Sequence, residues 1–137
     1  MGLFDKLAGR SEIDLSPRAA LLLAAITMVA ADGEIDEDEI AIVRRLDKVN
    51  DGSWDQALKA WKVYSFDECI SRASNALNAE QRLVTIANLV DIAMADGLLA
   101  GQEKDLLEAY LGAFELKDSD VEAIVDVISI KNSDTVF

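Results

Sequence analysis

The stretch Ser16–Gly33, SPRAALLLAAITMVAADG, carries both end signals of a helix around an almost wholly apolar body. Ser16 is a preferred N-cap residue, Pro17 suits the first helical position, and Gly33 suits the left-handed residue that ends many helices. Because the body is apolar on nearly every side, this helix is predicted to lie at the centre of the fold. Its apolar run, residues 19–31 broken only by Thr27, is shorter than the roughly 20 residues that a membrane-spanning helix needs.

Capping residues and apolar spacing predict six further helices along the chain. A capping box of Asp36 and Glu39 opens a helix over about residues 37–50, and its predicted inward stripe is Ile40, Val43, Leu46 and Val49. The remaining five helices are predicted to begin at Ser53, at Ser65 with Glu68, at Asn78, near Gln102, and at Ser119 with Glu122. The last four of these are predicted to end near residues 77, 97, 114 and 130. No stretch alternates as a strand does, so the prediction is an all-α bundle of about seven helices.

The chain has 137 residues, which is enough for one domain with a core of its own. The predicted domain spans residues 1–137, with a core at about 16–130, an N-terminal segment at 1–15 and a loose tail at 131–137. The segment joining the two halves holds Trp54, Trp61, Tyr64 and Phe66. Aromatic residues at such spacing are more often core or groove lining than a ligand site.

Charge and missing residue types exclude several functions. The formal net charge is −13, from 26 acids and 13 bases. Such a surface repels nucleic acid and anionic lipid, and it attracts cations and basic protein faces. There is no histidine, so Ser-His and Cys-His nucleophile pairs and histidine zinc sites are excluded. Cys69 is the single cysteine, and the nearby acids Asp67 and Glu68 should raise the pKa of its thiol. The simplest interpretation is a cytoplasmic protein without enzyme activity.

The chain also repeats itself. Residues 24–46 align with residues 88–110 at an offset of 64, and each copy reads as an apolar helix, Ala-Asp-Gly, five residues, Glu and a second helix. The matched acids are Asp32 with Asp96 and Glu39 with Glu103. Residues 36–38, Asp-Glu-Asp, have no acidic counterparts in the second copy, so they are interpreted as helix capping and surface charge. Two helix-turn-helix units with apolar faces are predicted to pack on one another with pseudo-symmetry.

The repeated acids suggest a cation site shared between the copies. A full EF-hand loop is excluded in practice, because its first ligand positions would fall on Met28, Ala30, Ile92 and Met94. A carboxylate in the last turn of a helix opposes the helix dipole at a cost of about 0.3–1 kcal/mol, so a cation or donor is expected near Asp32 and Asp96. The predicted ligands are Asp32, Glu39, Asp96 and Glu103, with Asp91 or water completing the shell. Structural pairing of the same acids, with Asp91 in solvent or capping a neighbouring helix, remains the alternative.

With its two Ala-Asp-Gly-x5-Glu units and the opening MGLFDKL, the chain resembles the TerB family of tellurite-resistance proteins over about residues 16–130. The resemblance implies a bundle of about seven helices, a role in tellurite or chemical-stress response, and protein partners that include a membrane-associated Ter-type complex. It also implies a divalent-cation site for Ca, Mg or Zn at Asp32, Glu39, Asp96 and Glu103, with Asp91 where the family often has an acid. The first copy departs from this pattern, since Thr27 stands opposite Asp91.

Two functional hypotheses follow. The first is an acidic helical module that binds a divalent cation weakly and serves as a stress-response accessory. The second is a metal-free adaptor that docks a basic protein partner through its acidic face and aromatic connector. Neither requires a membrane span or nucleic acid.

Overall fold

The computed structural model describes residues 13–31, 35–95 and 101–137, and within these ranges it is all-helical, with no strand. The helices are α1 Pro17–Val29, α2 Glu37–Arg44, α3 Ser53–Val63, α4 Phe66–Ala76, α5 Ala79–Ala93, α6 Gln102–Ala113 and α7 Asp118–Lys131, followed by a 3₁₀ turn at Asp134–Val136. The prediction of an all-α bundle of about seven helices is confirmed. None of the described helices is long and apolar enough to cross a membrane.

Helix α1 is the centre of the bundle, as its apolar body predicts. Nine of its thirteen residues are buried, and the helix packs mainly on α3, α4 and α5, with further contacts to α2 and α6. The Ser16 hydroxyl accepts a hydrogen bond from the Ala19 amide at 3.1 Å, and Pro17 is the first helical residue. The predicted C-terminal Gly33 lies outside the described residues.

Two reciprocal capping boxes fix the starts of α4 and α5. The Ser65 hydroxyl accepts from the Glu68 amide at 3.2 Å, and Glu68 accepts from the Ser65 amide at 3.3 Å. Asn78 and Gln81 exchange the same two bonds at 2.8 and 2.9 Å. Each pair satisfies two amides that helix geometry leaves without an internal acceptor. The starts predicted at Ser65 and Asn78 are confirmed.

The prediction for α2 was too long. The helix ends at Arg44, not near residue 50, because its last turn tightens. A turn follows in which the Asp47 carboxylate accepts a hydrogen bond from the Asn50 amide at 3.2 Å, and Asn50 has a φ of +53°. Val43 is buried as predicted, and Ile40 and Leu46 pack partly against the core. Val49 is 55% exposed, so its place in the inward stripe was wrong.

Helices α3 and α7 also begin differently from the prediction. Ser53 is the first residue of α3 rather than its N-cap, because the N-cap is Gly52, at φ +93°. The Ser53 hydroxyl instead lies 3.0 Å from the Ser16 hydroxyl. Helix α7 begins at Asp118 after Lys117, whose amide donates to the Asp120 carboxylate at 3.4 Å. The predicted N-cap Ser119, paired with Glu122, was two residues late, because the N-cap is Lys117. The tail predicted to be loose contains the 3₁₀ turn.

The two repeat units correspond to α1 with α2 and α5 with α6. Helix α1 packs against α5, so the apolar helices of the two units do meet. The aligned positions Thr27 and Asp91 nevertheless have different surroundings, since Thr27 is fully buried and the Asp91 side chain is 40% exposed. Residues 32–34 and 96–100, which join the helices of each unit, lie outside the described residues. The pseudo-symmetry therefore stays a prediction.

Candidate metal centre

Glu39 and Glu103 line the same surface pocket, although 64 residues separate them in the chain. The pocket has a volume of about 240 Å³. Besides the two glutamates, it is lined by the end of α1 and the start of α6, through Met28, Val29, Ala31, Gly101 and Gln102. The matched glutamates of the two repeat units therefore line one pocket, and their convergence on a shared cation stays a prediction.

Both glutamates are held by the first turn of a helix. Glu39 is the third residue of α2, and its amide donates to the Asp36 carboxylate at 2.8 Å. Glu103 is the second residue of α6. The partial positive charge at a helix N-terminus stabilises a carboxylate in this position. Asp36 acts here as the N-cap that the sequence predicts, while Glu37 and Asp38 are exposed.

The pocket is electronegative and offers oxygen donors. The C-terminal end of α1, with its partial negative charge, faces the pocket beside the two carboxylates, and none of the described residues that line the pocket is a lysine or arginine. Carboxylate, amide and carbonyl oxygens suit Ca²⁺ and Mg²⁺, whereas Zn²⁺ usually takes histidine and cysteine as well. Gln102 adds an amide oxygen that sequence reasoning missed, although its position directly before Glu103 was a usable signal.

Two carboxylates do not complete a cation shell. Among residues 13–31, 35–95 and 101–137, no three acidic or cysteine side chains lie close enough to hold one ion together. A calcium site normally has 6–8 oxygen ligands. The predicted ligands Asp32 and Asp96 lie outside the described residues. Glu39 and Glu103, the part of the predicted site that is described, have donor chemistry suited to a hard cation and would supply only some of its ligands.

Asp91 lies elsewhere. Its carboxylate accepts a hydrogen bond from the Lys131 ammonium at 2.9 Å, which links α5 to the C-terminal end of α7, and Asp91 is not among the residues that line the pocket. The sequence alternative in which Asp91 has a structural partner matches this arrangement. Its role as a metal ligand stays a prediction.

The aromatic connector is mainly structural. Trp54 and Tyr64 are buried, and the Tyr64 hydroxyl accepts from the Ile13 amide at 3.0 Å. Trp61 and Phe66 are partly buried and pack edge to face with ring centroids 5.4 Å apart. This agrees with the interpretation of these residues as core and groove lining rather than as a ligand site.

Cys69 is unsuited to nucleophilic chemistry. Burial of the thiol, and secondarily the nearby Glu68 carboxylate, raise its pKa to about 11. Only the thiolate is a strong nucleophile, so the group is almost wholly protonated and unreactive near neutral pH. The sequence predicted the direction of this shift from the adjacent acids, but burial is the larger cause.

Comparison with known proteins finds a match to one protein family. The model of the family described as tellurite resistance protein TerB matches residues 47–126, which is more than half of the chain and runs from the turn before α3 into α7. The match includes Asp91, Asp96 and Glu103 but not Asp32 and Glu39. No curated protein and no solved structure shows significant similarity to the chain.

Proposed function

The chain belongs to the TerB family, and on that premise we propose that it binds a divalent cation weakly and serves as an accessory in the response to tellurite or a related chemical stress. The TerB match itself supports a helical module related to tellurite resistance. The cation, the stress role and the partners are the proposal. The partners we propose are proteins, including a membrane-associated Ter-type complex reached from the cytoplasm.

The observation that carries the cation proposal is the meeting of Glu39 and Glu103 in one pocket. They come from different helices, and the end of α1 beside them adds partial negative charge. A cation between the two carboxylates would reduce their mutual repulsion and offset the dipole of α1. Asp32 and Asp96 belong to the proposed ligand set on the sequence repeat alone. Binding is expected to be weak, since affinity follows the number of charged ligands and the rigidity of the site.

Cation binding is tested by isothermal titration calorimetry and thermal melting with Ca²⁺, Mg²⁺ and Zn²⁺. The wild type is expected to bind Ca²⁺ or Mg²⁺, and a free cation at ten times the Kd should raise the free energy of unfolding by about 1.4 kcal/mol. Glu39→Gln with Glu103→Gln removes both carboxylate charges with little change of shape, and it should abolish the binding heat and the stabilisation.

The matched control is Glu37→Gln with Asp105→Asn. These two exposed acids lie in the first turns of the same helices, α2 and α6, but do not line the pocket. The control should respond to cations as the wild type does. Indifference of the wild type to all three ions, or an unchanged response in the Glu39/Glu103 variant, would contradict the proposal. Asp32→Asn with Asp96→Asn tests the other two ligands, and tellurite tolerance of cells expressing each variant tests the stress role.

We propose a non-catalytic module. The sequence has no histidine, and the thiol of Cys69 is buried with a raised pKa. Carboxylates alone could act as acid and base, but no nucleophile or cofactor motif accompanies them. The alternative, a metal-free adaptor for a basic partner, is favoured if the wild type ignores every cation.

A further inference from the structure

Helix α7 carries two apolar stripes, and the bundle uses only one. Val121, Ile124, Val125 and Ile128 are partly buried and pack against the core. Ala123, Val127 and Ile130 follow the spacing i, i+4 and i+7, so they form a second stripe on another face of the helix. Val127 is 64% exposed and Ile130 is 76% exposed. We call Ala123, Val127 and Ile130 the outer stripe.

The fold does not account for the outer stripe. Helix α7 packs mainly on α5 and has no fully buried residue, so the bundle is closed without the outer face of α7. Helix propensity does not explain these residues either, because valine and isoleucine are poorer helix formers than alanine, leucine or the long polar residues. Contiguous exposed apolar residues with a polar border are typical of interaction sites.

The border of the outer stripe is acidic. Asp120 lies one turn before Ala123. Because successive residues of an α-helix are rotated by about 100°, Glu122 and Asp126 lie along one side of the outer stripe. All three acids are exposed. Lys131, the one basic residue within α7, is paired with Asp91 at 2.9 Å. An approaching partner therefore meets apolar side chains edged by carboxylates whose charge is not balanced within the helix.

This charge pattern selects the occupant. A second copy of a chain with net charge −13 would bring acids against acids, and nucleic acid and anionic lipid are repelled in the same way. A basic amphipathic helix offers apolar anchors at i, i+3, i+4 and i+7 for the stripe and lysine or arginine for its border. We propose that the outer stripe of α7 is the docking face for a basic amphipathic helix of a partner protein. The proposal does not depend on the cation site.

The test uses a dye-labelled synthetic peptide of leucine and lysine, with leucines at i, i+3, i+4 and i+7, titrated with the full chain by fluorescence anisotropy. Val127→Ser with Ile130→Ser should weaken binding at least tenfold, because burying even one valine or isoleucine side chain favours binding by more than that factor. Val49→Ser with Val63→Ser is the matched control, since these valines are 55% and 46% exposed on other parts of the chain. It should change the Kd by less than twofold.

The acidic border of the outer stripe is tested by a second pair of matched variants. Asp120→Asn with Asp126→Asn should weaken binding more than Asp55→Asn with Asp67→Asn, which removes the same net charge from α3 and α4. Thermal melting verifies that every variant is folded, and Ala123→Lys at an exposed position is a second disruption of the stripe that retains a good helix former.

Three results would overturn the proposal. Equal Kd values for the two serine variants would show that the peptide does not bind specifically to the outer stripe. A wild-type dimer in sedimentation velocity that dissociates in the Val127/Ile130 variant would assign the stripe to a second copy. Binding to phosphatidylserine vesicles that is lost in the same variant would assign the stripe to a membrane.

Discussion

Replacing Arg82 with methionine is expected to lower the free energy of unfolding by about 3 kcal/mol, because one guanidinium caps the ends of two helices. Nη2 of Arg82 donates to the Ser74 carbonyl at 2.8 Å and to its hydroxyl at 3.3 Å, and Nη1 donates to the Phe114 carbonyl at 3.3 Å. Ser74 lies in the last turn of α4, and Phe114 is the C-cap residue of α6. Carbonyls at helix C-termini lack internal donors and carry partial negative charge, so a partly buried cation there is favourable.

Methionine retains much of the apolar stem of arginine, so the substitution removes mainly the charge and the donors. Arg82→Lys should fall between wild type and methionine, since an ammonium cannot reproduce the planar fork that reaches both helix ends. Arg45→Met is the control at an exposed arginine and should change stability by less than about 0.5 kcal/mol. Urea unfolding measures all three. Equal stability of the Arg82→Met and Arg45→Met proteins would disprove the role assigned to Arg82.

Thr27→Val is expected to cost about 2 kcal/mol because it leaves the Tyr110 hydroxyl without its partner. The Thr27 hydroxyl donates to the Ala24 carbonyl at 2.6 Å and lies 2.6 Å from the Tyr110 hydroxyl, and both side chains are fully buried. Since Thr27 gives its proton to Ala24, the Tyr110 hydroxyl is the donor between the two. Burial also raises the pKa of Tyr110, which keeps that proton in place.

The double substitution distinguishes this bond from ordinary packing. Tyr110→Phe alone should cost about 1 kcal/mol, because Thr27 retains its bond to Ala24. Thr27→Val with Tyr110→Phe should be more stable than Thr27→Val alone, since no buried hydroxyl is then unsatisfied. The measurement is a double-mutant cycle by chemical denaturation. Additive costs would mean that the two hydroxyls do not interact energetically.

Local signals in the sequence predicted the centre of the fold and several helix starts. Ser16 and Pro17 placed α1, and the boxes at Ser65 and Asn78 placed α4 and α5, because these caps involve residues only three positions apart. Ser53 was misassigned because its hydroxyl meets Ser16, which lies 37 residues away. The end of α2 was missed because the Asp47 to Asn50 turn outweighs the apolar spacing that continues through Val49.

The sequence repeat was informative about the position of two of the predicted site residues, and their role as cation ligands stays a prediction. The offset of 64 predicted that Glu39 and Glu103 meet, and they line one pocket. The repeat could not predict the ion pair between Asp91 and Lys131, because Lys131 lies 40 positions away and outside both repeat units. Aligned positions can therefore have different surroundings, as Thr27 and Asp91 do. The sequence also could not rank burial above neighbouring charge as the cause of the raised Cys69 pKa.

The central place of α1 has a consequence for synthesis on the ribosome. Its main partners α3, α4 and α5 follow it in the chain, and α5 ends 64 residues after α1. At about 5–20 residues per second, translation of that interval takes about 3–13 s. The most apolar of the described helices must therefore wait for seconds before its surface can be covered, so we expect the nascent chain to bind chaperones that shield apolar segments.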